Sequence, residues 1–133
     1  MIFVDTSVWI DYFNGNDTAA TDRLDTALQD EAVVVVDLVL LEIWQGFRHE
    51  ADYQQAKLLL QHLAIYDLLG RDAVEEYARC FRILRKRGIT TRTVDELIIA
   101  GLCIVNRISL LFEDEGFRPF VKHLGLRSVL QAV

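Results

Sequence analysis

The chain has 133 residues, of which 52% are hydrophobic and 26% charged, the size and composition of one compact domain with a sizeable core. A formal net charge of −6 argues against broad electrostatic attraction to nucleic acid, which needs many Lys and Arg to displace counterions from phosphates. It leaves open an anionic substrate reached through a divalent cation, provided several acidic side chains converge on one pocket.

The opening MIFV stops at Asp5 after four residues, so it is neither a secretory h-region nor a membrane span, and a soluble cytoplasmic protein is expected. Residues 2–5 read as a buried strand and 8–13 as a short helix ended by Asn14-Gly15. A second helix is expected over 18–29. Residues 32–36, with four consecutive valines, suit a central strand buried on both faces. Asp37 reads as the N-cap of a helix to about Phe47, followed by another over 52–63. An amphipathic helix over 71–86 stops at Gly88, and an apolar one covers 94–105. A strand over 109–112, a short helix over 117–123 and a possible last strand over 128–131 complete the chain. Alternation of short apolar runs with helical patterns implies an α/β fold, with helices flanking a central, mostly parallel sheet. Pro119 is the only proline, there are no repeats or linker-like stretches, and a single domain over residues 1–133 is expected.

Cys80 and Cys103 fall within apolar helical patterns and read as reduced core residues, while His49, His62 and His123 are too scattered to form a zinc site. The acidic residues are more informative. Ligands of an open α/β sheet bind beyond the carboxyl ends of its strands, where both Asp5 and Asp114 are expected to lie. Glu42, in DLVLLEIWQGF, is flanked by Leu and Ile and is either drawn partly inward, where its charge needs compensation, or placed on a polar stripe near Gln45. Asp95 follows Thr93, which makes a T-x-x-E capping box with Glu96, so a charge there favours the helix macrodipole whatever else it does. Three aspartates and a glutamate on one rim, with no His or Cys among them, would select Mg²⁺ or Mn²⁺, the ions of phosphoryl-transfer sites.

With these residues in view, the sequence resembles the PIN-domain ribonucleases, and within them the VapC-type toxins of type II toxin–antitoxin pairs. The likeness is carried by VDTSVWIDYF, LLEIWQGFR, RGITTRTVDELIIA and LLFEDEGF, in the family's order and at its spacing, over essentially the whole chain. The resemblance implies a PIN-like three-layer fold and a metal-dependent endoribonuclease that cleaves phosphodiester bonds with a metal-activated water. Asp5, Glu42, Asp95 and Asp114 would hold the Mg²⁺ or Mn²⁺. Ser7 either joins the hydrogen bonds of that site or only caps the helix expected from Val8. It further implies a homodimer, an RNA substrate and a cognate antitoxin that wraps the toxin and obstructs its acidic pocket. Trp9, Trp44, Phe13 and Phe47 are either core or part of a groove for a partner helix.

The match departs from the family at one position. Where many relatives carry D-x-D-F, this chain reads Asp114-Glu115-Gly116-Phe117, which leaves one carboxylate fewer for a second ion. Glu113 and Glu115 read as solvated loop charges or as substitutes. Arg79, Arg82 and Lys86, within the basic run 79–87, form either an ordinary solvated face or a contact for an RNA backbone. Of the competing readings, a haloacid-dehalogenase-type phosphatase needs an aspartate where Ser7 stands, and a response-regulator receiver needs a lysine that SLLFEDEGF lacks. A catalytically silent PIN module that binds RNA or protein would be favoured by loss of a carboxylate, and all four are present.

Overall fold

The computed structural model describes residues 1–66, 71–91 and 93–130. Four short strands, β1 (Ile2–Val4), β2 (Val33–Val36), β3 (Ala64–Tyr66) and β4 (Ser109–Leu111), form one sheet in the order β3-β2-β1-β4, with every neighbouring pair parallel. Parallel strands need crossovers on the sheet faces, and among the described residues six helices occupy those connections, α1 (Thr6–Phe13), α2 (Ala19–Asp30), α3 (Asp37–Gln45), α4 (Glu50–Leu60), α5 (Arg71–Lys86) and α6 (Val94–Asn106), while α7 (Arg118–Leu124) follows the last strand. The α/β architecture expected from the alternation of elements is the one observed.

The valine run of β2 is buried at every position, as is all of β1. The connection from β1 leads to β2 on one side, whereas β4 pairs on the other side of β1. The sheet therefore reverses its winding between β1 and β4, and a crevice opens at their carboxyl ends. The amide of Asp5 donates to the Leu111 carbonyl at 3.0 Å, extending the pairing to the rim of that crevice.

Several boundaries differ from expectation for local reasons. Helix α1 begins at Thr6, two residues early, because Asp5 itself takes the extended N-cap conformation. Asp37 is the first helical residue of α3 and not its cap; its carboxylate accepts from the next amide, Leu38 N–H, at 2.9 Å. Helix α4 ends sooner than expected, and the residues that follow provide β3, an edge strand with Ile65 and Tyr66 45% and 49% exposed. The possible last strand is a single parallel bridge, Ser128 to Leu110, and Gln131 lies outside the described residues. Both cysteines are buried and free; burial pushes each thiol up, so they stay protonated and unreactive, as expected of core residues.

Helix α5 presents Tyr77, Cys80 and Leu84 at three- and four-residue steps and packs them toward α6. At Gly101 of α6 an added Cβ would stand 2.4 Å from Cδ1 of Tyr77, whose ring is itself buried. Helix propensity alone would favour Gly101→Ala by up to about 1 kcal/mol, but overpacking costs about 1–3 kcal/mol. The expected outcome is a melting temperature lower by a few degrees in a calorimetric scan; a rise would mean that the Tyr77 ring has room to move.

Candidate active site

The four acidic residues stand on different elements. Asp5 stands immediately after β1 and is only 7% exposed. Its carboxylate makes no N-cap hydrogen bond of regular geometry, although the first amides of α1, those of Thr6 and Ser7, favour its charged form. The Ser7 hydroxyl donates to Oδ2 of Asp5 at 2.7 Å. Since α1 starts at Thr6, Ser7 lies inside the first turn, and of its two expected roles the capping one is not realised.

Glu42 lies in the second turn of α3, which starts at the carboxyl end of β2. The helix turns Leu41 outward, 53% exposed, and keeps Glu42 half-buried, so the inward placement inferred from its apolar neighbours is the observed one. Its Oε1 accepts from the Thr6 hydroxyl at 3.2 Å. Thr6 is buried and joins the turn after β1 to α3; the chain separation of 36 residues hid that link in the sequence.

Asp95 is the second residue of α6, whose N-cap is Thr93; the Thr93 hydroxyl accepts from Glu96 N–H at 3.2 Å, the contact expected of the capping motif. Glu96 is buried as well, which its local role did not anticipate. Asp114 caps the 3-10 turn Glu115–Phe117, with Oδ1 accepting from the Gly116 amide at 2.9 Å. Position 116 thus holds Asp114 through its main-chain amide. Glu113 is not a free loop charge: it accepts from Ala20 N–H at the start of α2, at 3.2 Å. Glu115 sits 3.4 Å from Arg118 with its side chain 79% exposed, as a solvated charge should be.

The electrostatics link the four carboxylates as a chain. Burial raises the pKa of Asp5, and the charge of Asp114 raises it further, against the lowering effect of Ser7 and the nearby Thr6 amide. Burial also raises Glu42, followed by Asp95 through its charge and by favouring a shared proton, and then by Asp5. Among the described residues no ion pair neutralises Asp5, Glu42 or Asp95. Nor, among those residues, do three or more acidic, His or Cys side chains stand close enough together to ligate one metal ion. Like charges without a counterion are expected to keep that distance. The donor set is all oxygen and fits a hard divalent cation, which would have to draw the side chains inward from the positions seen here.

A description of the PIN domain matches residues 2–121 of the chain. The chain belongs to the PIN-domain family. This PIN domain is 24% identical over 130 residues to VapC ribonuclease Mb1587 of Mycobacterium bovis and, to the same extent, to ribonuclease VapC11 of Mycobacterium tuberculosis; the alignments cover 96% of this chain and 97% of each relative. Its fold is similar to that of VapBC2 from Rickettsia felis, solved bound to a promoter DNA fragment, with a TM-score of 0.75 at 18% identity over 96% of this chain and 97% of that one. It is also similar to a toxin–antitoxin complex from Klebsiella pneumoniae, with a TM-score of 0.69 at 15% identity over 99% of this PIN domain and all of that chain. No helix among the described residues is long and apolar enough to cross a membrane.

The raised pKa of Asp5 has a consequence for stability. At low pH the carboxyl is protonated in both folded and unfolded chains, with no penalty. As pH rises from the ordinary value of 3.8, the unfolded chain loses the proton more readily, so the folded state loses stability. Without divalent ions, Asp5→Asn should therefore raise the melting temperature at pH 7, and the gain should shrink as pH falls toward 4. Thermal scans across pH test this; a gain independent of pH, or a loss, would contradict it.

Proposed function

We propose that the chain is the toxin of a type II toxin–antitoxin pair and a Mg²⁺- or Mn²⁺-dependent endoribonuclease. The observation that supports this reading is that carboxylates from four separate elements of a PIN domain act on one another, Asp114 on Asp5 and both Asp95 and Asp5 on Glu42. A catalytically silent module would not need to maintain these mutually repelling carboxylates. The relatives named as ribonucleases, matched over nearly their full length, support the same conclusion.

The four carboxylates would hold the cation. When bound, that ion lowers the pKa of the attacking water and neutralises charge at the phosphodiester. The chain's own residues orient the ligands: Ser7 holds Oδ2 of Asp5, Thr6 holds Oε1 of Glu42, and the Gly116 amide holds Oδ1 of Asp114. In each case a protein donor holds one carboxylate oxygen in place. These donors restrict the orientations of Asp5, Glu42 and Asp114 before any ion is bound.

The finer parts of the proposal are a single PIN domain over residues 1–133, a cytoplasmic location, a homodimer, and inhibition by a cognate antitoxin. Of the aromatics considered for a partner groove, Trp9 is wholly buried and stacks on Phe13, so it belongs to the core. Trp44 and Phe47 do line a groove of about 370 Å³, with Leu41, Arg48 and Tyr53. Apolar side chains of an antitoxin segment suit that lining.

The purified protein, freed of any antitoxin, should cut structured RNA in Mg²⁺ or Mn²⁺ and stop in chelator. Asp5→Asn and Asp95→Asn should each abolish cutting while circular dichroism stays unchanged; equal cutting by wild type and both variants would reject the mechanism. Growth arrest on expression, relieved by the neighbouring open reading frame, tests the toxin assignment. Loss of an outer-shell donor typically lowers metal affinity about 10–100-fold. Thr6→Val should therefore weaken Mn²⁺ binding in calorimetry by at least about tenfold, and Thr6→Ser should restore most of it; unchanged affinity in Thr6→Val would remove Thr6 from the site.

A further inference from the structure

The chain's negative total charge conceals a strong division. Residues 1–66 carry eleven acidic and three basic side chains, whereas residues 71–130 carry eight acidic and eleven basic. Within the basic part, a cleft of about 270 Å³ opens between the segment after α5 and the start of α7, lined by Thr90, Thr91, Glu115, Gly116 and Pro119 among others. One wall is continuous with the acidic site, because the Gly116 amide is the group that holds Asp114. The single acid in the lining, Glu115, has Arg118 beside it at 3.4 Å.

The described residues that line the cleft include no cation, but cations stand beside it on the same two segments of the chain. Pro119 and His123 are four residues apart and lie one above the other on α7, with Lys122 on the same side. His123 receives Arg87, the residue after α5: Nη1 donates to the His123 carbonyl at 3.2 Å and lies 3.1 Å from its Nδ1. Both contacts use Nη1, which leaves Nη2 and Nε uncommitted among the described residues. A guanidinium anchored by one nitrogen and open along its remaining edge is preorganised for bidentate contact with a phosphate. The run 79–87 is less uniform than its spacing implied: Arg79 is tied to Glu76 at 2.6 Å and Arg85 lies over the Phe81 ring, so neither has the open geometry of Arg87.

We infer that this cleft carries the RNA strand to the acidic site, with Arg87 and Lys122 as phosphate anchors and Thr90 and Thr91 as neutral hydroxyl donors along the path. The inference rests on the nuclease reading above and assigns the direction from which its substrate enters. It also accounts for a chain of net charge −6 acting on a polyanion: the acidic excess lies in residues 1–66, whereas the proposed path is built from the basic part.

The test is binding of a fluorescently labelled single-stranded oligoribonucleotide to the full chain in chelator, followed by anisotropy across a salt series. Arg87→Ala should weaken binding about tenfold and make the slope of log K against log salt shallower by about 0.7, the value of one lost phosphate contact. Adding Lys122→Ala should take off about 0.7 more, while Arg48→Ala, in the acidic part, should change neither quantity. Arg87→Lys should keep the wild-type slope and recover only part of the affinity, since charge is retained and the fork is lost. Mn²⁺-dependent hydrolysis of bis(p-nitrophenyl) phosphate, which has no flanking nucleotides, should be measurable in the wild type and tests the nuclease reading apart from the RNA path. Wild-type affinity and slope in the Arg87→Ala/Lys122→Ala protein would overturn the inference. So would unchanged RNA binding accompanied by weakened binding of the antitoxin, which would give the cleft to a protein partner. Failure of the wild type to hydrolyse the small diester would count against the nuclease reading itself and leave the RNA path to be judged by the anisotropy.

Discussion

A carboxylate buried at a sheet edge beside other carboxylates is held there by the backbone, because its own electrostatics oppose the arrangement. At Asp5 the opposing contributions can be separated: desolvation and Asp114 disfavour the charge, and Ser7 and the Thr6 amide partly restore it. What fixes the position is the main-chain bond from Asp5 to Leu111, which ties the end of β1 to the end of β4. Strands β1 and β4 are more than a hundred residues apart in sequence, so the site exists only when the whole sheet is formed. Folding energy drawn from a nearly all-apolar interior is thereby used to hold charges that would otherwise separate.

Much of this was legible in the chain. The four valines announced a strand buried on both faces, the T-x-x-E motif located the start of α6, and acids at strand ends pointed to the rim on which they are found. Glu42 was legible for a subtler reason: a charge between Leu41 and Ile43 on a largely apolar helix had to be either accommodated inward or misplaced. What escaped the sequence was of two kinds. Strand β3 is only three residues long, lies on an edge and follows the helix expected to Leu63 with no glycine or proline to mark a new element, so no pattern announces it. Thr6 and Glu113 escaped because their partners, Glu42 and Ala20, are remote in the chain, and no local pattern distinguishes a threonine that reaches across the fold from one that does not.

The division of charge along the chain bears on the choice between cofactor and substrate at one crevice. Acidic ligands recruit a cation but repel a phosphodiester, and basic side chains do the reverse. Residues 1–66 supply Asp5 and Glu42, and the later part of the chain supplies Asp95 and Asp114 together with the cationic surface of α5 and α7. Under the proposed function these opposed requirements would fall to different side chains, the cation to the acids and the phosphates to the bases.

The way Asp114 is held has an implication for how such a site tolerates change. Its tether is the amide of residue 116, a group that every amino acid except proline possesses. Substitutions at 116 can therefore alter the local supply of negative charge without loosening the neighbouring aspartate. In this chain a glycine stands there, and the contact to the neighbouring aspartate is one that a side chain at 116 need not supply.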